Sequence, residues 1–131
     1  ALLPHAPALK DLAHRVAALD VVAAFAWQAR RCGYVRPVLT DSHHLNLVNA
    51  RHPVLEQHLP QGQYVPNHAR LDANMTPQAT DAPQLLLITG PNMAGKSTYM
   101  RMVALVVLMA QVGSFVPADA AEIGLVDAIY T

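Results

Sequence analysis

Residues 90–98 read Gly-Pro-Asn-Met-Ala-Gly-Lys-Ser-Thr and directly follow the apolar run Leu85-Leu86-Leu87-Ile88-Thr89. This is the pattern G-x-x-x-x-G-K-[ST], set after an expected strand and before an expected helix, where phosphate binding needs it. Gly90 and Gly95 allow backbone angles and close approach that a side chain would block, so successive N–H groups can turn toward phosphate oxygens. Lys96 adds a point charge for the β- and γ-phosphates, and the Ser97 hydroxyl is placed to ligate Mg²⁺. The helix starting near Lys96 presents unpaired N–H groups and the positive end of its dipole to the same anion.

The elements that position this loop follow from the pattern of apolar residues. Pro4 and Pro7 precede a stripe of Leu9, Leu12, Val16, Leu19, Ala23 and Ala26 at three- and four-residue steps, which predicts a helix over 8–32. Arg30 and Arg31 suit its negative end, and Gly33 suits the residue after it. Tyr34 to Leu39 is extended, with Pro37 marking a strand edge. Thr40-Asp41-Ser42 is a turn, Leu45, Leu47 and Val48 form a strand, and Val54-Leu55 is a shorter extended piece. Residues 57–83 read as a largely irregular connection, broken by Tyr64-Val65 and Leu71. A strand at 85–89, the loop, and a helix from Lys96 to Val112 closed by Gly113 come next. That helix is apolar all round, through Met100, Val103, Ala104, Val107 and Leu108, and is expected to be buried against a sheet. Phe115-Val116 and Ile123 to Tyr130 read as further strands.

Composition narrows the function. The 131 residues fit about one domain, and 53% hydrophobic with 14% charged residues excludes a disordered tail. Nine basic and nine acidic residues cancel, so the segment itself carries no electrostatic footprint for nucleic acid. The apolar stretch Met102 to Ala110 is far short of the ~20 residues that cross a bilayer. No charged leader with a cleavage site opens the sequence. A single cysteine, Cys32, suits a reducing cytosol. The histidines at 5, 14, 43, 44, 52, 58 and 68 show no zinc-site spacing and read as surface residues. Tyr64, alone in a polar stretch, either pins that stretch to the domain or stacks on a base. Hydrolysis also requires a second acid closing a neighbouring strand. Asp119, Glu122 and Asp127 do not fit that place, so the acid is expected beyond Thr131 and no catalytic residue is assigned within the chain.

The longer text Thr89 to Arg101, with Gly-Pro-Asn-Met at its centre, resembles the ATPase domain of the MutS family of DNA mismatch-repair proteins. Gln111 to Ala118 resembles the stretch after that family's phosphate-loop helix. Ala50-Arg51-His52-Pro53-Val54-Leu55-Glu56 resembles its Gly-Arg-His-Pro motif, with Ala50 where glycine is usual. Ala94 also stands where many members have glycine. Tyr34 to Pro37 and the preceding helix resemble the junction at which lever helices enter the ATPase domain. The resemblance implies an α/β, partial ABC-type P-loop nucleoside triphosphatase with a mixed sheet. It divides the chain into a helical connector, 1–33, and the first part of an ATPase domain, 34–131. It implies ATP or ADP with Mg²⁺ on Ser97 as cofactors. The implied contacts run from Gly90 through Pro91, Asn92, Met93, Ala94, Gly95, Lys96 and Ser97 to Thr98, with Tyr64 stacked on adenine and Val65 at the base edge. For the parent protein it implies a homodimer in the bacterial cytosol, acting on mismatched DNA through other domains and signalling to a MutL-type partner. Two alternatives stand beside this: a paralogue acting on recombination intermediates or stalled ribosomes, and a nucleotide-binding module without turnover. Ser97 and Met93 argue against the paralogue, whose loop departs from this text.

Overall fold

The computed structural model describes residues 5–60, 62–73 and 82–130. Pro4 and part of the 57–83 connection lie outside them. A long helix α1, Ala6–Cys32, leads into β1, Val38–Thr40, and β2, His44–Ala50. A one-turn helix α2, Leu55–His58, precedes β3, Asn67–Asp72; helix α3, Lys96–Gln111, and β4, Ala120–Gly124, complete the order. The strands form one mixed sheet in the order β1-β4-β2-β3, with β1 parallel to β4 and both β4 and β3 antiparallel to β2.

Register explains the core. Leu39, Ile123, Leu45 and Leu71 are paired in one row across all four strands, so their side chains share a face. The next row holds Ala121, Leu47 and Ala69. Small residues flanking Leu47 let α3 approach closely, and Met102, Val106 and Ala110, at successive i, i+4 positions, are buried in the same cluster. Helix α3 is thus buried against the sheet as expected, on one face, with Met100 and Leu108 half exposed on the other.

Strand β2 carries a bulge that this core demands. Between Leu47 and Ala50 it takes three steps against two on β3, from Ala69 to Asn67. Strict alternation after Leu45 and Leu47 would turn Asn49 into the core. The extra residue swings Asn49 out and Ala50 in, and Ala50 is fully buried. Asn49 adopts φ 50° to do so, a conformation that asparagine tolerates better than most residues.

Other expectations are corrected. Residues 85–89 form no strand; Leu85 and Leu87 are more than 80% exposed. The sheet's edges are β1 and β3, and neither pairs with this segment, so its apolar run has no ladder to join among the described residues. Val54-Leu55 opens α2 rather than an extended piece. Strand β3 lies inside the span read as irregular, and the final strand stops at Gly124. Phe115-Val116 contributes only an isolated bridge, from Val116 to Val35.

Helix α1 agrees with its expected extent and ends as foreseen. Gly33 takes a left-handed conformation at φ 62°, and its N–H bonds the Ala29 carbonyl. Its expected stripe is not covered: Leu9, Leu12, Val16 and Leu19 are exposed and Ala29 is its one buried residue.

Gly124 ends β4 where a Cβ would run into the Ser42 carbonyl oxygen. The obstacle is backbone and cannot swing away. Gly124→Ala is expected to destabilise the fold by about 1–3 kcal/mol, the usual scale of overpacking. A lowered urea midpoint with an unchanged m-value is the expected result; an unchanged midpoint would show that the β1–β2 turn yields.

Candidate functional site

The 90–98 loop is seated by α3, whose buried stripe fixes its first turn beside the sheet. Gly90, Met93 and Gly95 all have positive φ, at 148°, 65° and 87°. The two glycines meet that requirement without strain. Met93 meets it as a fully exposed non-glycine residue at the loop's tip. Gly95 stands at the N-cap of α3, where it offers no side chain to bond the first amides. Lys96 folds back over the loop, its ammonium donating to the Gly90 carbonyl and, at 2.9 Å, to the Pro91 carbonyl. The uncapped amides and this cation favour an anion at the loop's mouth.

A cleft of about 420 Å³ opens between this loop and the residues before β3. One wall is Tyr64, Val65 and Asn67; the other runs from Ile88 through Gly90 and Pro91 to Gly95, Lys96 and Thr98. Residues some thirty positions apart in sequence thus share one cavity. Tyr64 is anchored by its hydroxyl, 3.6 Å from the Met102 sulfur in the core, while Val65 is three-quarters exposed. The anchoring and the cleft position are compatible, since the phenol tip points at Met102 and leaves the rest of the residue along the wall. Ala94 lines the cleft too; Asn92, Met93 and Ser97 do not.

Tyr99, like Asn67, is a cleft residue that the sequence reading left without a role. It sits one turn after Lys96 on α3, lines the cavity, and donates a 2.9 Å hydrogen bond to the His68 carbonyl on β3. Burial raises its pKa, keeping the hydroxyl a neutral donor. Its spacing of three from Lys96, on the same helical face, was the available signal.

The Arg51-His52-Pro53 stretch has definite roles. His52 is buried, against the expectation of surface histidines, because its Nδ1 accepts the Val54 and Leu55 amides, both at 3.3 Å, at the start of α2. Arg51 pairs with Glu56 at 2.6 Å and donates to the Cys32 and Gly33 carbonyls, each at 3.4 Å. It therefore holds the C-terminus of α1 to the sheet. Among the described residues no three of His, Cys, Asp and Glu gather as a metal site, and no helix is long and apolar enough to cross a membrane.

Residues 86–131 match the family profile of MutS domain V. Across 119 residues, 91% of this chain, it is 56% identical to a DNA mismatch repair protein MutS of Roseiflexus sp., of which it covers 10%. It is 51% identical over 126 residues, 95% of the chain, to the MutS of Lactobacillus gasseri, and 46% identical over its full 131 residues to that of Syntrophomonas wolfei. It covers 14% of each of those two proteins. A mixed α/β segment with this likeness along nearly all its length belongs to the MutS family of DNA mismatch repair proteins. It spans about one seventh or less of the length of these relatives.

Tyr34, just past α1, is buried with its hydroxyl beside Glu56 and, among the described residues, without a hydrogen bond of good geometry. Burial first, and then the neighbouring Glu56 carboxylate, push its pKa from 10.0 up to about 12. The folded chain therefore keeps this proton over a range in which the unfolded chain has lost it. The stability is fully present below pH 10 and declines as pH rises toward 12. Tyr34→Phe should flatten that decline in urea midpoints measured between those pH values. An equally steep decline in the variant would assign it to other groups.

Proposed function

We propose that the cleft between Tyr64 and the 90–98 loop binds ATP or ADP, as part of a mismatch-repair ATPase whose nucleotide state governs its hold on mismatched DNA. The observation that carries this is the meeting of Tyr64 and Val65 with Gly90, Gly95 and Lys96 around one cavity. In this reading the phosphates lie at the uncapped start of α3, against Lys96 and the loop amides through Asn92, Met93 and Thr98. The adenine stacks on Tyr64 beside Val65. Lys96, now bonded to the Gly90 and Pro91 carbonyls, exchanges those neutral acceptors for charged phosphate oxygens, which bind an ammonium more strongly.

Ser97 is the residue of this chain that would hold Mg²⁺, which when bound would neutralise phosphate charge. Ser97 is exposed in the first turn of α3. Phosphate oxygens and water would complete the six oxygens that this cation prefers. The partial P-loop domain from 34 onward and the connector role of α1 belong to the same proposal. So do the homodimer, the MutL-type partner and a bacterial cytosolic setting for the whole repair protein. The 85–89 segment, with its exposed leucines, would then be a strand of a larger sheet in that assembly.

Two substitutions separate the phosphate and base contacts. Lys96→Ala in the full-length protein is expected to abolish nucleotide-induced release from mismatched DNA; an unchanged ATP response would overturn the assignment. Tyr64→Ala should weaken ADP binding by roughly 1–3 kcal/mol, the scale of one base stack. Equal affinity by calorimetry would leave Tyr64 as a packing residue only.

A further inference from the structure

A polar chain runs from the wall of the cleft to the end of α1, through the residue that the bulge in β2 turns outward. Tyr99, in the cleft, donates to the His68 carbonyl at 2.9 Å. On the same β3 residue, His68 Nδ1 accepts the Asn49 amide at 3.3 Å. The Asn49 side chain donates to Asp119 Oδ2 at 2.7 Å, and Asp119 Oδ1 lies 3.9 Å from the Arg51 guanidinium. Arg51 then reaches the Cys32 and Gly33 carbonyls at the end of α1.

The middle of this chain is built at the bulge in β2. Backbone bonds on both sides hold it, from the Asp119 amide to the Val48 carbonyl at 2.9 Å and from the Arg51 amide to the Pro117 carbonyl at 2.8 Å. Asn49 keeps its left-handed φ because three partners fix it: its amide on His68, its side chain on Asp119, and the inward Ala50. A sparsely populated conformation persists where its surroundings over-determine it, and such places are drawn toward function. A shift of Tyr99 by a ligand moves the His68 carbonyl, and the same residue's ring bears on Asn49. The far end is equally specific, because α1 is exposed from residue 6 to 24 and is covered only in its last two turns, at Phe25, Gln28, Ala29 and Cys32.

We propose that Asn49, Asp119 and Arg51 form a relay that couples occupancy of the cleft to the C-terminal turn of α1, with Asn49 and Asp119 as positioning residues. The proposal rests on the nucleotide reading of the cleft.

The test uses the full-length protein with ADP as the probe and hydrogen exchange read on peptides covering 28–35. The Gly33 and Tyr34 amides, both bonded to the Ala29 carbonyl, report the last turn of α1. ADP is expected to change their exchange in the wild type. Asn49→Gly, which keeps the positive φ and removes the side chain, should bind ADP as the wild type does, within about twofold, yet lose at least about half of that change. Asp119→Ala should do the same, and the double variant should lose no more than either single one, as members of one network do. A lower unfolding midpoint with the ADP-dependent change intact would mean a merely structural role and overturn the relay. ADP binding without any change at 28–35 in the wild type would overturn it as well. Failure of the wild type to bind ADP would overturn the nucleotide reading and the relay together.

Discussion

The seating of α3 on the sheet is the contact from which the rest follows. Met102, Val106 and Ala110 lie against the rows centred on Leu47 and Ile123, and all five are buried to within about one per cent. Shifting that stripe by one residue would rotate α3 by about 100° and bring Arg101 or Gln111 toward the core. The first turn of α3 is held by the same packing, so the direction of its open amides and of Lys96 is set by apolar contacts one to three turns away. Met102 also receives the Tyr64 hydroxyl, so one buried residue fixes both walls of the cleft.

The bulge in β2 is the second constraint, and it shows how packing and polar organisation arise together. Burying Leu47 and Ala50 on one face needs an extra residue between them, and that residue is Asn49. Once expelled from the core, Asn49 meets His68 on one side and Asp119 on the other. The surface around Arg51 therefore inherits its arrangement from the core. Arg51 in turn ties α1 to the sheet, alongside the buried Tyr34 ring and the bond from the Tyr34 amide to Ala29.

Local signals made much of this legible in the sequence. The three- and four-residue spacing and Gly33 placed α1, Gly90 and Gly95 placed the loop and its helix, and the alternation of Leu45 with Leu47 placed β2. The failures share a physical cause, which is dependence on partners distant in sequence. Leu85 to Ile88 has the composition of a buried strand but no ladder among the described residues. Asn67 to Asp72, with Arg70 and His68 outward and Ala69 inward, is a strand because β2 offers it an edge. His52 reads as a surface residue until α2 forms and gives its ring two amides to accept. In the candidate site, the loop was evident from its spacing, while Tyr64 was ambiguous by residue type, was given to adenine by the family resemblance, and lies in the cleft wall. Tyr99 was marked in the sequence only by its spacing of three from Lys96, and its bond to the His68 carbonyl depends on a strand distant in sequence.

The central claim is that adenine lies on Tyr64 with its phosphates at the start of α3. Photolabelling of the full-length protein with 8-azido-ADP, followed by peptide mapping, addresses it most directly. The account predicts that the label falls within residues 62–73, centred on Tyr64, and that excess ADP suppresses it. Labelling confined to another surface, or labelling of Tyr64 that ADP does not displace, would contradict it.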